Sequence, residues 1–155
     1  MNLYVLPNGL TLLTIPMPAV ASATVMTLVG AGSRYETKNI NGLSHFLEHM
    51  AFKGSKKRPT ALEISSTIDA IGGEFNAFTG KDHTGFYVKS AATHLPLVID
   101  VLSDMILTPL LKAEEIEKEK GVIIEEINMY EDMPMRHVGD VYEELMYGDT
   151  PLGWD

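Results

Sequence analysis

The sequence predicts an α+β fold, with a largely antiparallel sheet packed against helices. Three observations carry that expectation. Short runs rich in Val, Thr, Leu and Phe, bounded by Pro, Gly and Asn, lie near the start and again at 74–89. Longer stretches with apolar residues at helical spacing lie between and after them. The two kinds do not alternate regularly, which argues against a parallel sheet built from βαβ units.

Taken in order, residues 3–6 and 10–15 read as strands around the turn Pro7-Asn8-Gly9. Residues 22–29 read as a more buried strand, broken by Gly30-Ala31-Gly32-Ser33. After a polar loop, Asn41 is placed to cap a helix running to about Phe52, with Gly54 at its C-terminal end. Thr60-Ala61-Leu62-Glu63 has the form of a capping box, in which the two side chains satisfy each other's backbone N–H groups. Ile64, Ile68 and Ile71 continue that helix, and Gly72-Gly73 ends it. Glu74 to Phe78 and His83 to Lys89 read as strands joined across Thr79-Gly80-Lys81-Asp82. A helix opens at Thr93, carries Pro96 in its first turn and stops before Pro109. Two further helices are expected at about 113–131 and 135–147, with Gly148 after the second.

The chain has 155 residues, of which 45% are hydrophobic and 21% charged, enough for one domain with its own core. A net charge of −9 disfavours nucleic acid or an anionic membrane as the main partner. The absence of cysteine excludes disulfides, thiolate metal sites and a cysteine nucleophile. No apolar stretch is long enough for a membrane span, and the N-terminus has no signal-peptide pattern, so a cytoplasmic location is the expectation. Residues 147–155 read as a loop leading onward, as in part of a longer protein. The nine methionines read as core filler, and Lys56-Lys57-Arg58 as a solvated turn. His83, His94 and His137 read as surface or sheet residues.

The chemistry concentrates in His45-Phe46-Leu47-Glu48-His49. On a helix, residues three and four apart share a face. Both imidazoles can therefore grip one cation while Glu48 reaches a water bound to it. The order His-x-x-Glu-His is the inverzincin pattern of zinc hydrolases. Catalytic zinc normally takes three protein ligands, so a third must come from elsewhere. In the helix 113–131, Ile116, Glu119, Ile123, Glu126 and Tyr130 form one stripe at 3-4-3-4 spacing. A carboxylate on a core-facing stripe is costly unless paired or bound to metal. Glu119 and Glu126 are thus the two anomalous acids, whereas Glu114, Glu115, Glu117 and Glu131 read as solvated and Glu125 points about 100° away. Val122, Ile124 and Ile127 widen the apolar face, so the stripe is a preference.

With these residues in view, the chain resembles the pitrilysin–insulinase family of zinc peptidases, on its bacterial and mitochondrial-processing-peptidase-like branch. The resemblance runs through Leu6-Pro7-Asn8-Gly9-Leu10, Gly30 to Arg34, Gly42 to Met50 and Phe52-Lys53-Gly54. It continues through Gly72 to Thr79, Glu119 to Glu126 and Pro151-Leu152-Gly153. It implies that residues 1–155 form an N-terminal zinc-binding catalytic domain of a metalloendopeptidase that acts on peptides or unfolded segments. The family pattern puts the third zinc ligand 77 positions after the second motif histidine, which here is Glu126. It implies Zn2+ held by His45, His49 and Glu126, with Glu48 activating the water. It assigns Glu119 a supporting catalytic role, whether by orienting His45 or His49 or by bracing Glu126. It also implies that substrate adds as a strand beside Asn76, Ala77, Phe78 and Thr79.

Family enzymes usually have a second, related half that closes over the site, and this chain corresponds to the first domain of the first half. The expected partners are a peptide substrate and that second half or a partner subunit. An apolar face exposed by truncation would favour homo-oligomers. Two other readings stand beside the peptidase: a non-catalytic assembly subunit of the same fold, and a fragment that binds zinc and peptide without turnover.

Overall fold

The computed structural model describes residues 1–154, and their architecture is α+β. The strands form two antiparallel sheets rather than one. β1 (Asn2–Val5) and β2 (Thr11–Thr14) make a hairpin by themselves. Its turn closes with the Leu6 N–H donating to the Leu10 carbonyl, and Gly9 takes a left-handed φ of +87° that its missing Cβ permits. β3 (Ser22–Val29), β4 (Glu74–Thr79) and β5 (Thr84–Ala91) form a three-stranded sheet in the order β3-β5-β4. β5 is central and its inward residues are buried, whereas β4 shows the alternation of a half-buried strand.

Five helices accompany the sheets: α1 (Leu43–Ala51), α2 (Ala61–Asp69), α3 (Leu95–Leu107), α4 (Ala113–Glu131) and α5 (Pro134–Tyr147). The core joins Phe86 and Val88 of β5 to Ile64 and Ile68 of α2, to Val98, Val101, Leu102 and Met105 of α3, and to Ala51 at the end of α1. Each large aliphatic side chain removed from water there contributes about 1.5–3 kcal/mol. That apolar contact seats the C-terminal end of α1 on the sheet. The capping box at the start of α2 is present: Thr60 Oγ1 accepts from the Glu63 N–H, and Glu63 Oε2 accepts from the Thr60 N–H.

Several local expectations are corrected. The cap of α1 is not Asn41. Gly42 occupies that position with a φ of +87°, and the buried carboxylate of Glu36 accepts the N–H groups of Gly42 and Ser44, each at 2.6 Å. A side chain six residues upstream thus satisfies donors that the helix itself leaves open. α3 begins at Leu95, because Thr93 lies in a short 3-10 turn. Arg58 is not solvated: its guanidinium bonds Asp100 at 2.8 Å and Asp104 at 3.1 Å. Buried Asp104 also accepts from Ser55 Oγ at 2.5 Å and Thr108 Oγ1 at 2.9 Å, which ties the loop after α1 to α3. Of the methionines, Met50 and Met105 are core residues, and the other seven are exposed. Val122, Ile124 and Ile127 of α4 and Met135, Val138 and Leu145 of α5 are also exposed. Among the described residues, no helix is long and apolar enough to cross a membrane.

Candidate metal centre

α1 lies between α4 and β4, and its side chains divide accordingly. His45 and His49, one turn apart, face α4. Glu48 turns toward β4. The stripe on α4 faces α1 as its spacing requires: Glu119 is buried, and Ile116, Ile123, Glu126 and Tyr130 are half-buried. Glu125, one position off the stripe, is exposed.

Three potential ligand atoms converge. His45 Nε2 and His49 Nε2 are 3.1 Å apart, and Glu126 Oε2 lies 3.4 Å from the second and 3.9 Å from the first. Among the described residues, these three side chains are the one group of His, Asp and Glu placed to hold a metal ion. Four ligands at about 2.0–2.1 Å in tetrahedral array stand roughly 3.3 Å from one another. The observed separations scatter around that value. A metal ion among them would take a lone pair from each imidazole nitrogen and from the carboxylate oxygen. Two imidazoles and one carboxylate are a donor set of catalytic zinc sites that leave one position open. Glu126 and His45 keep partial exposure, which gives that position access to solvent.

The surroundings orient these groups. Glu119 Oε1 lies 2.8 Å from His49 Nδ1. An ionised carboxylate only accepts, so Nδ1 carries the proton and the lone pair of Nε2 points at the centre. Lys53 Nζ reaches the other oxygen, Oε2, at 2.5 Å. Burial alone would raise the Glu119 carboxyl, but the hydrogen bonds from Lys53 and His49 outweigh it and hold the group below the ordinary glutamate range. Of the alternatives open in the sequence, orientation of His49 is the one present. Glu126 is braced instead by Tyr130, whose hydroxyl donates to Oε1 at 2.7 Å. That bond, with burial, raises the Tyr130 phenol and keeps it a donor. The Arg136 guanidinium covers the Tyr130 ring at 4.4 Å.

Asn76, Ala77, Phe78 and Thr79 all lie on β4, which pairs with β5 along one side only among the described residues. The Gly80 N–H donates to the His83 carbonyl at 3.0 Å, so in an antiparallel ladder Phe78 and Asn76 bond toward β5. The backbone groups of Ala77 and Thr79 then point to the open side. Consistently, the Ala77 N–H is taken by the Asn76 side-chain oxygen at 2.9 Å, not by β5. Phe78 stands on the outer face, its ring covering Gly85, where a Cβ would meet ring carbon at 2.4 Å. Thr79 points inward, and its hydroxyl donates to Glu48 Oε2. His83 packs edge-on to Phe78, and neither it, His94 nor His137 joins the cluster.

Glu36, Lys53, the Thr79 hydroxyl and the bracing role of Tyr130 are visible only in the structure. Tyr130 and Lys53 each stand four residues beyond a ligand candidate, a spacing that could have marked them. No such signal exists for Glu36 or Thr79, whose contacts are made only on folding.

Known proteins are similar to this chain over nearly its whole length. The family model of insulinase, peptidase family M16, matches residues 12–154. An uncharacterised zinc protease of Streptomyces coelicolor is 49% identical over 148 residues, covering 96% of this chain and 32% of that protein. The uncharacterised zinc protease YmxG of Bacillus subtilis is 43% identical over 151 residues, covering 97% of this chain and 37% of its own length. The crystal structure of a protease from Helicobacter pylori superposes with a TM-score of 0.92 at 26% identity, covering 99% of this chain and 37% of that one. The chain thus spans about a third of the length of the curated relatives it matches.

Proposed function

The chain belongs to the insulinase family of peptidases, M16, and from that premise we propose that it carries the hydrolytic centre of a zinc metalloendopeptidase. The observation that supports this most is the convergence of His45, His49 and Glu126, from two helices far apart in sequence, on one small volume. In this reading His45 Nε2, His49 Nε2 and Glu126 Oε2 hold the zinc. When bound, zinc polarises a scissile carbonyl and lowers the pKa of a coordinated water to about 7.

The residues around it divide the remaining work. Glu48 stands one residue from His49 and takes a proton from the attacking water onto its carboxylate. It then delivers that proton to the leaving amine nitrogen. Glu119 keeps the proton of His49 on Nδ1, so Nε2 stays a ligand. Tyr130 occupies Glu126 Oε1 and leaves Oε2 for the metal. The open side of β4 receives the substrate as an added strand, with Ala77 and Thr79 offering backbone groups to it. Backbone pairing of that kind selects extended, unfolded segments over folded protein. The chain spans about a third of the length of these relatives, and in this reading the remainder of a full-length protein covers the open side of the site.

Glu48→Gln in the full-length protein tests this reading. Zinc content stays near one per site, and cleavage of an unfolded peptide falls by about 100-fold or more, the scale of a lost general base. A Glu48→Gln variant that cleaves at the wild-type rate, or a wild type that binds no zinc, would overturn it.

A further inference from the structure

We propose that the Thr79 hydroxyl is a positioning group for Glu48, so that one residue of the docking strand both meets substrate and aims the base. The inference rests on the peptidase reading above and goes beyond it, because it assigns a role to a side chain on β4. Along β4, Phe75, Ala77 and Thr79 share the inward face, and Phe75 and Ala77 pack on the core. Thr79 is the last of the three, and its hydroxyl donates to Glu48 Oε2 on α1. The bond leaves Glu48 Oε1 free of any bond to Thr79, and that oxygen can face the reacting water. Valine at position 79 would keep the shape and lose the donor.

The end of β4 that carries Thr79 is held firmly. Thr79 pairs with Thr84, whose hydroxyl donates to the Ala31 carbonyl at 3.0 Å. The Arg34 N–H donates to the Lys81 carbonyl at 3.0 Å. At Gly32 a Cβ would lie 2.4 Å from the Gly80 carbonyl oxygen, so the two backbones meet with no room between them. Arg34 is paired with Asp82, and Lys81 with Glu143 at 2.7 Å. A fixed strand end gives the hydroxyl a fixed position, which a carboxylate on an α1 side chain does not have alone. The backbone of the same residue faces the open edge. A peptide paired there lies beside the residue that aims Glu48.

The test compares Thr79→Val, Thr79→Ser and Glu48→Gln in the full-length protein, with an internally quenched unfolded peptide as substrate. Thr79→Val lowers kcat by about 10–100-fold, the scale of a misplaced catalytic group, and changes KM less than about twofold. Thr79→Ser, which restores the hydroxyl, returns kcat to within about threefold of wild type, and zinc content and melting temperature stay unchanged in both. A kcat for Thr79→Val within about twofold of wild type overturns the proposal, as does a Thr79→Ser variant as slow as Thr79→Val. Loss of zinc or of folding in both variants overturns it in favour of a structural role. A fully active Glu48→Gln sinks the peptidase mechanism itself, whereas an inactive Glu48→Gln beside a fully active Thr79→Val sinks only the positioning role.

Discussion

Replacing Glu36 with glutamine removes the capping charge from α1 while keeping the size of the side chain. In the native protein its two oxygens accept the N–H groups of Gly42 and Ser44 at 2.6 Å each, and the residue is 8% exposed. Glutamine retains one acceptor oxygen and turns an NH2 group toward the other backbone N–H. That N–H, poorly reached by water, costs about 1–3 kcal/mol when left unmade. Losing the negative charge beside the helix N-terminus adds about 0.3–1 kcal/mol. The surviving bond loses its charge assistance, roughly half its strength. The sum is about 3 kcal/mol. For a domain of this size each kcal/mol moves the melting temperature by about 2–4 °C, so a fall of roughly 6–12 °C is expected. The assay is thermal unfolding of zinc-free protein, since bound metal would mask the difference by stabilising the folded state. A fall of less than about 2 °C would refute the claim that this carboxylate holds the start of α1.

Two further outcomes follow from the geometry. Glu119→Gln keeps an acceptor for His49 but strips Lys53 of its anionic partner; zinc affinity, read by chelator competition, should weaken about 10–100-fold, and an unchanged affinity would contradict the orienting role. Burial would raise the Asp104 carboxyl, but bonds from Ser55, Thr108, the Lys57 N–H and Arg58 outweigh it and hold it below the ordinary range. A depressed carboxylate stabilises the fold above its unfolded value near ~3.9 and loses that contribution as pH falls through the folded value. Urea midpoints should therefore drop as pH falls below about 5, and Asp104→Asn should be less stable at neutral pH with a shallower acid decline; parallel profiles would contradict this.

Much of the site was legible because its parts obey helical periodicity. His45, Glu48 and His49 are a local pattern, and the stripe on α4 singled out Glu119 and Glu126 because acids rarely sit among isoleucines. The capping box at Thr60 and Glu63 is likewise a contact within one turn. What escaped was made by pairs with no fixed spacing. Glu36 caps a helix from across a loop, and Arg58 was read with its basic neighbours although its partners, Asp100 and Asp104, lie on α3. Composition misled for the methionines, since it reports residue type and not which face of an element is covered. The separation of β1 and β2 from the second sheet was also invisible, because pairing partners leave no periodic mark.

The most direct measurement is diffraction from zinc-loaded crystals of the full-length protein, with anomalous data collected on both sides of the zinc absorption edge. One peak is expected, about 2.0–2.2 Å from His45 Nε2, His49 Nε2 and a Glu126 oxygen. A peak on His83, His94 or His137 instead, or none at these three side chains under saturating zinc, would contradict it.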